Sequence, residues 1–147
     1  MTHYAGALEI FTKNLEKQKE IEERTGMCES LLRIAECFLA LNDIENCKKH
    51  LCEAKEILDK ISVRDEEALF LRISARVHVA EGDRIKAERE LEDAIKIYES
   101  IGKSGFEYHK AIFELGTLRK DVELLEKAAG FFERTGNRAW SERARVT

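Results

Sequence analysis

The 147-residue chain contains no proline, and its eight glycines stand singly. Helix interiors are therefore left unbroken, and a glycine-rich phosphate loop is excluded. No apolar run approaches the ~20 residues that cross a bilayer. The start lacks the basic-then-apolar order of a signal peptide, so a cytoplasmic protein with no membrane partner is expected. A net charge of −4 leaves no concentrated basic face for phosphates, and nucleic acid is not an expected partner. The local exception, Arg134, Arg138, Arg143 and Arg145, reads as a solvated helix end, with attraction of an acidic partner as the alternative. No C-x2-C pair occurs among Cys28, Cys37, Cys47 and Cys52. Cys47-x2-His50-x-Cys52 departs from structural zinc spacing, and a free cysteine serves as a small core residue. The expectation is reduced thiols or one bridge within the hairpin, with no metal and no cofactor. His3, His50 and His109 pair with no nucleophile that spacing defends, so no enzyme is expected.

What the chain does have is a repeat. Ile21-Glu22-Glu23-Arg24-Thr25-Gly26 recurs in kind at Ile57, Ile97 and Phe131, at spacings of 36, 40 and 34 residues. Periods of this size mean stacked supersecondary units covered by their neighbours. In register, Leu15, Leu51, Leu91 and Leu125 align, as do Gln18, Ala54, Ala94 and Ala128. The stripe Ile44, Cys47, Leu51, Ala54, Leu58, Ile61 alternates steps of three and four, one face of a helix. Small residues between large ones let helix axes approach in antiparallel pairs. Turn signals at Thr25-Gly26, Asn42-Asp43, Ser62, Gly82-Asp83, Gly102-Lys103-Ser104, Gly116-Thr117 and Gly136-Asn137 divide the chain into eight helices. The expected spans are 3–24, 27–40, 43–61, 65–81, 84–101, 105–115, 118–135 and 137–146. Asn42 with Glu45 and Ser104 with Glu107 have capping-box spacing. Gly130 falls inside the seventh span at a position aligned with exposed residues, where it costs about 1 kcal/mol.

These residues resemble the tetratricopeptide repeat (TPR) family in its longer-repeat variant. Gly82-Asp83 matches the family's turn, with Leu71 and Ala75 before it and Ala87, Leu91 and Ala94 after it. Leu31, Ala35, Phe38, Asn42-Asp43, Cys47, Leu51 and Ala54 form the unit before. The match is weaker in the third unit, where Asp121 stands in a small-residue position, and the family's closing proline is missing, with Asp59 and Glu99 near its place. The resemblance implies an all-α fold of TPR-like antiparallel helix-turn-helix repeats stacked in a right-handed α-solenoid of about eight helices. It makes residues 1–147 one domain: an N-terminal helix in 1–26, repeats at 27–62, 63–102 and 103–136, and a capping helix in 137–147. His78 takes the family's core tyrosine position and is expected to be a hydrogen-bonded interior residue. Trp140 is expected in the core of the capping helix, with an exposed anchor as the alternative.

Members of the family bind peptides or partner domains in a concave groove lined by the first helix of each unit. Projected here, that groove holds Glu29, Leu32, Arg33, Glu36, Leu39, Leu69, Arg72, Ile73, Arg76, Val79, Phe106, Lys110 and Phe113. A carboxylate clamp is not supported, since its positions carry Arg33, Glu36, Ile73 and Arg76. The resemblance thus implies a non-catalytic protein-protein interaction module or scaffold that holds a protein or peptide. Arg33, Arg72, Arg76 and Lys110 would supply charge toward an acidic, partly apolar segment, and Leu32, Leu69, Ile73 and Phe113 apolar contact. Two alternatives stand beside this: the arginines pair with Glu36, Glu107 and neighbouring carboxylates, or the chain is a self-assembling homo-oligomer through the array ends.

Overall fold

The computed structural model describes the backbone of residues 2–146 and the side chains of residues 4–145. His3 lies outside the described side chains. Among the described residues there are eight helices and no strand: α1 (Thr2–Glu20), α2 (Arg24–Ala40), α3 (Ile44–Leu58), α4 (Arg64–Ala80), α5 (Arg84–Ser100), α6 (Phe106–Arg119), α7 (Val122–Arg134) and α8 (Arg138–Val146). Each packs on the next in sequence, and α2 also packs on α4.

Six of the seven turns share one device. Glu22, Asn42, Gly82, Gly102, Lys120 and Gly136 all take a left-handed conformation. The residue after each sends its N–H back to the preceding helix: Glu23 to Gln18 O, Asp43 to Phe38 O, Asp83 to His78 O, Lys103 to Tyr98 O, Asp121 to Gly116 O and Asn137 to Phe132 O. These bonds satisfy carbonyls that a helix end leaves open. At five of the six, that same residue then caps the following helix through its side chain. Glu23 accepts from Gly26 N, Asp43 from Asn46 N, Asp83 from Lys86 N, Asp121 from Leu124 N and Asn137 from Trp140 N. One residue reverses the chain and its neighbour starts the next helix.

Several expected boundaries are corrected by this geometry. The first helix ends at Glu20 rather than 24, because Glu22 turns the chain without a glycine. Gly26 accordingly lies in the first turn of α2. The cap of α3 is Asp43, not Asn42, and α6 starts after Gly105 with no side-chain cap. Gly116 is no turn residue: α6 runs on to Arg119. A Cβ at Gly116 would stand 3.1 Å from Leu124 Cβ and 3.2 Å from Leu125 Cγ, so this glycine permits the close approach of α6 and α7. Asp121, aligned with a small core position, instead caps an α7 shorter than α5.

The small residues sit where the repeat placed them. Ala54, Ala75, Ala87, Ala94 and Ala128 are fully buried, as is Cys47 in the slot that Ala87 fills one repeat later. Helix α4 serves two clusters. Leu69, Ile73 and Val77 pack with Leu15, Leu31, Ile34 and Leu51, while Ala68 and Ala75 join Leu91, Tyr98, Ile112 and Phe132. Replacing Ala94 with Leu is expected to cost about 1–3 kcal/mol through overpacking, read from the urea midpoint; an unchanged midpoint would place Ala94 away from a helix contact. Gly130 has the opposite sign. A Cβ there meets only the mobile Nη1 of Arg134, at 3.3 Å, so Gly130→Ala should stabilise by about 0.5–1 kcal/mol. A loss of stability in the same titration would mean that α7 needs the glycine.

Candidate functional site

The first helices of the units, α2, α4 and α6, share a face crossed by an ion-pair network. From α4, Arg72 Nε donates to Glu114 Oε1 at 3.1 Å and Nη1 to Glu107 Oε2 at 3.0 Å. Only 1% of the Arg72 side chain is exposed. From α2, Arg33 Nη2 donates to Glu107 Oε1 and Nη1 to Glu36 Oε1, both at 3.2 Å. Arg76 lies farther from its carboxylates, 3.8 Å from Glu36 Oε2 and 3.7 Å from Glu114 Oε2. Lys110 Nζ is 3.7 Å from Glu107 Oε2 and sits over the rings of Phe106 and Trp140, at 5.1 and 5.3 Å. Four cations thus meet three carboxylates.

Burial and charge compete within this network. Burial works to raise the Glu107 carboxyl, but Arg72, Lys110 and Arg33 outweigh it and hold the group below its usual range. At Lys110 burial prevails, assisted by Arg72, and the ammonium is held below the usual lysine value despite the carboxylates nearby. Arg72 is driven the other way. Its burial disfavours the charge, yet Glu114 and Glu107 overcome that and raise its pKa further.

The eight residues projected onto a binding face divide in two. Leu32, Leu69, Ile73, Phe113 and Arg72 are buried, whereas Arg33, Arg76 and Lys110 are partly exposed. The expectation of Arg72 as an exposed basic group is corrected: Arg72 and Arg76, one helical turn apart, do not face outward together. The inner stripe of each first helix is partly covered by the adjoining first helices, and the groups that meet there are paired within the chain.

What remains open lies toward the C-terminal ends of these helices. A trough of about 440 Å³ is lined by Leu39, Ala75, Arg76, Val79, Phe113 and Leu118, with Arg143 from α8 at its edge. Val79 is 44% exposed there. The Arg143 guanidinium lies 4.3 Å from the Trp140 ring centre and 5.8 Å from that of Phe113. Trp140 is partly buried and packs against Phe106, Phe113 and Phe132 at the margin of the core. Sequence reasoning missed Glu114 and Leu118, and read Arg143 as part of a solvated helix end. Glu114 could have been found, since it follows Glu107 by two helical turns on one face; nothing in the repeat pattern marks Arg143.

Outside this face, His78 has a structural partner. His78 Nδ1 lies 2.5 Å from Glu90 Oε1, and Ser74 Oγ donates to the other Glu90 oxygen at 2.6 Å, tying α4 to α5. Burial, with Glu66 and Glu29 nearby, pushes the Cys28 thiol up to about 12, and burial pushes Cys47 to about 11. Cys52 alone is exposed, and the four are unbridged. The thiolate is the reactive form, so a water-soluble disulfide reagent at neutral pH should react rapidly with one thiol per folded chain and with four in denaturant. Rapid reaction of two or more in the folded state would contradict the burial of Cys28, Cys37 and Cys47.

No protein-family model matches this chain, and no curated protein does. Among solved structures it is similar to a protein from Podosopora anserina described as a kinesin light chain with nearly identical TPR-like repeats. The likeness has a TM-score of 0.63 at 17% identity, covering 96% of this chain and 77% of that one. A variant of that protein gives the same score and identity, with 76% of its own length covered. No described helix is long and apolar enough to cross a membrane. At such identity the shared property is the fold, and this chain folds as an all-α solenoid of TPR-like repeats.

Proposed function

We propose that this chain is a protein-interaction module, without catalysis, that holds a peptide or partner helix along the face of α2, α4 and α6 in the cytoplasm. The repeats 27–62, 63–102 and 103–136 act in this reading as one domain with the flanking helices. The observation that supports it is the open trough between Arg76 and Arg143, in which the apolar side chain of Val79 is 44% exposed. Arg76, held only by long contacts, can exchange Glu36 and Glu114 for carboxylates of a partner. The ligand is therefore an acidic segment with an aliphatic residue, and its binding weakens with salt.

The test is capture from native extract by wild type, Arg76→Glu and Val79→Asp, with circular dichroism as the folding control. Loss of the same band in both variants supports the trough; unchanged capture by folded variants overturns it. Self-association through the array ends is a second reading, favoured by the exposed Ile10 on α1 and by Val122 beside a cavity of about 700 Å³ at α7 and α8. Sedimentation velocity separates them, a concentration-dependent dimer favouring assembly.

A further inference from the structure

At the opposite end of the first helices a separate cavity of about 280 Å³ opens between the starts of α2, α4 and α6. Its walls combine Leu69 and Phe106 with four carboxylates, Glu29, Asp65, Glu66 and Glu107, and two cations, Arg33 and Lys103. Two of its acids are already engaged: Glu107 by Arg33, Arg72 and Lys110, and Asp65 Oδ2 by Lys103 Nζ at 2.8 Å. The rest are not. Asp65 Oδ1 is buried with no hydrogen-bond partner among the described residues. Glu66 is 8% exposed, and no other described residue donates a hydrogen bond to its carboxylate. No described residue bonds Glu29. Burying carboxylates without partners is costly, and burial together with Glu29 and Asp65 holds the Glu66 carboxyl above its usual value.

We propose that this cavity receives a primary ammonium on an alkyl stem, the lysine side chain of a partner, with Glu29 and Glu66 as its acceptors. An ammonium offers three donors from one compact charge, which suits single oxygens on separate residues. A guanidinium requires paired oxygens in one plane for its fork. Leu69 and the face of Phe106 receive the stem, as long cationic side chains lay their methylenes on apolar surface. The site shares no lining residue with the trough near Arg143, so either reading can fail alone.

The experiment is an amide chemical-shift titration of the full chain with n-butylammonium chloride. n-Butanol serves as the neutral isostere, and potassium chloride at equal ionic strength as the salt control. The expected result is a saturable shift at residues 65–69 and 106–108 with the ammonium alone. Glu66→Gln should weaken it about tenfold, the loss of one charge-assisted contact. Glu29→Gln, an exposed change that leaves folding intact, should weaken it in the same direction. A linear response equal to that of potassium chloride, or saturation unaffected by both substitutions, overturns the proposal.

Discussion

Replacing Arg72 with Ala is expected to destabilise the fold by about 3–5 kcal/mol, the usual penalty for removing one partner of a buried ion pair. The loss exceeds that of the side chain's own contacts. Glu107 and Glu114 would each keep a charge in a setting built to neutralise it. Glu107 also fixes the pH dependence. Its carboxyl is depressed in the folded state, so the stability it contributes is present above the unfolded carboxylate value and is lost as pH falls through the folded one. The penalty of Arg72→Ala should therefore shrink in acid, where the stranded carboxylates take up protons. Urea denaturation at neutral pH and below the carboxylate range measures both effects. Lys55→Ala, which breaks the exposed Lys55 pair with Asp59, is the comparison and should change stability by less than about 1 kcal/mol. A loss at Arg72 no larger than at Lys55 would show that the network is not a structural element.

The second large effect is expected at Phe132. Its ring is fully buried and meets Phe106, Phe131 and Trp140 at centroid distances of 5.8, 5.8 and 5.6 Å. Phe132→Ala should cost about 3–5 kcal/mol, from lost transfer energy and the cavity left behind. The damage should be greatest at α8, whose nine residues are too few for a helix that stands alone. Trp140, the one tryptophan of the chain, reports this directly. Its emission should shift to the red in Phe132→Ala while most far-ultraviolet helicity survives. An emission maximum equal to that of wild type would mean that Trp140 is not packed on Phe132.

The repeat was legible because its signals are local. Cys47 and Ala87 could be assigned to one slot from spacing alone, and both are fully buried. Boundaries failed where the backbone did something residue type does not advertise. Glu22 and Lys120 take left-handed conformations that glycine favours, whereas Gly116 was taken for a turn and serves packing instead. Exposure on the candidate face was hidden for a different reason. Periodicity tells which residues share a helix face, but not how far a neighbouring helix overlaps that face. Leu32, Leu69 and Ile73 fall under the overlap and Val79 beyond it. Arg72 shows the same limit, since its burial depends on Glu107 and Glu114, 35 and 42 residues later.

The position of Glu107 has a consequence for how the array comes apart. Solenoid energetics are ordinarily a sum over units and the interfaces between adjacent ones, so an end unit can melt while the rest stands. One carboxylate here accepts from Arg33 in the first unit through one oxygen and from Arg72 in the second through the other, while belonging to the third. The third unit therefore cannot open without releasing a charge held by both others, and the first cannot open without withdrawing one of that charge's partners. That adds an energy beyond the nearest-neighbour interfaces, penalises partly melted states, and makes a short array lose its structure as one body.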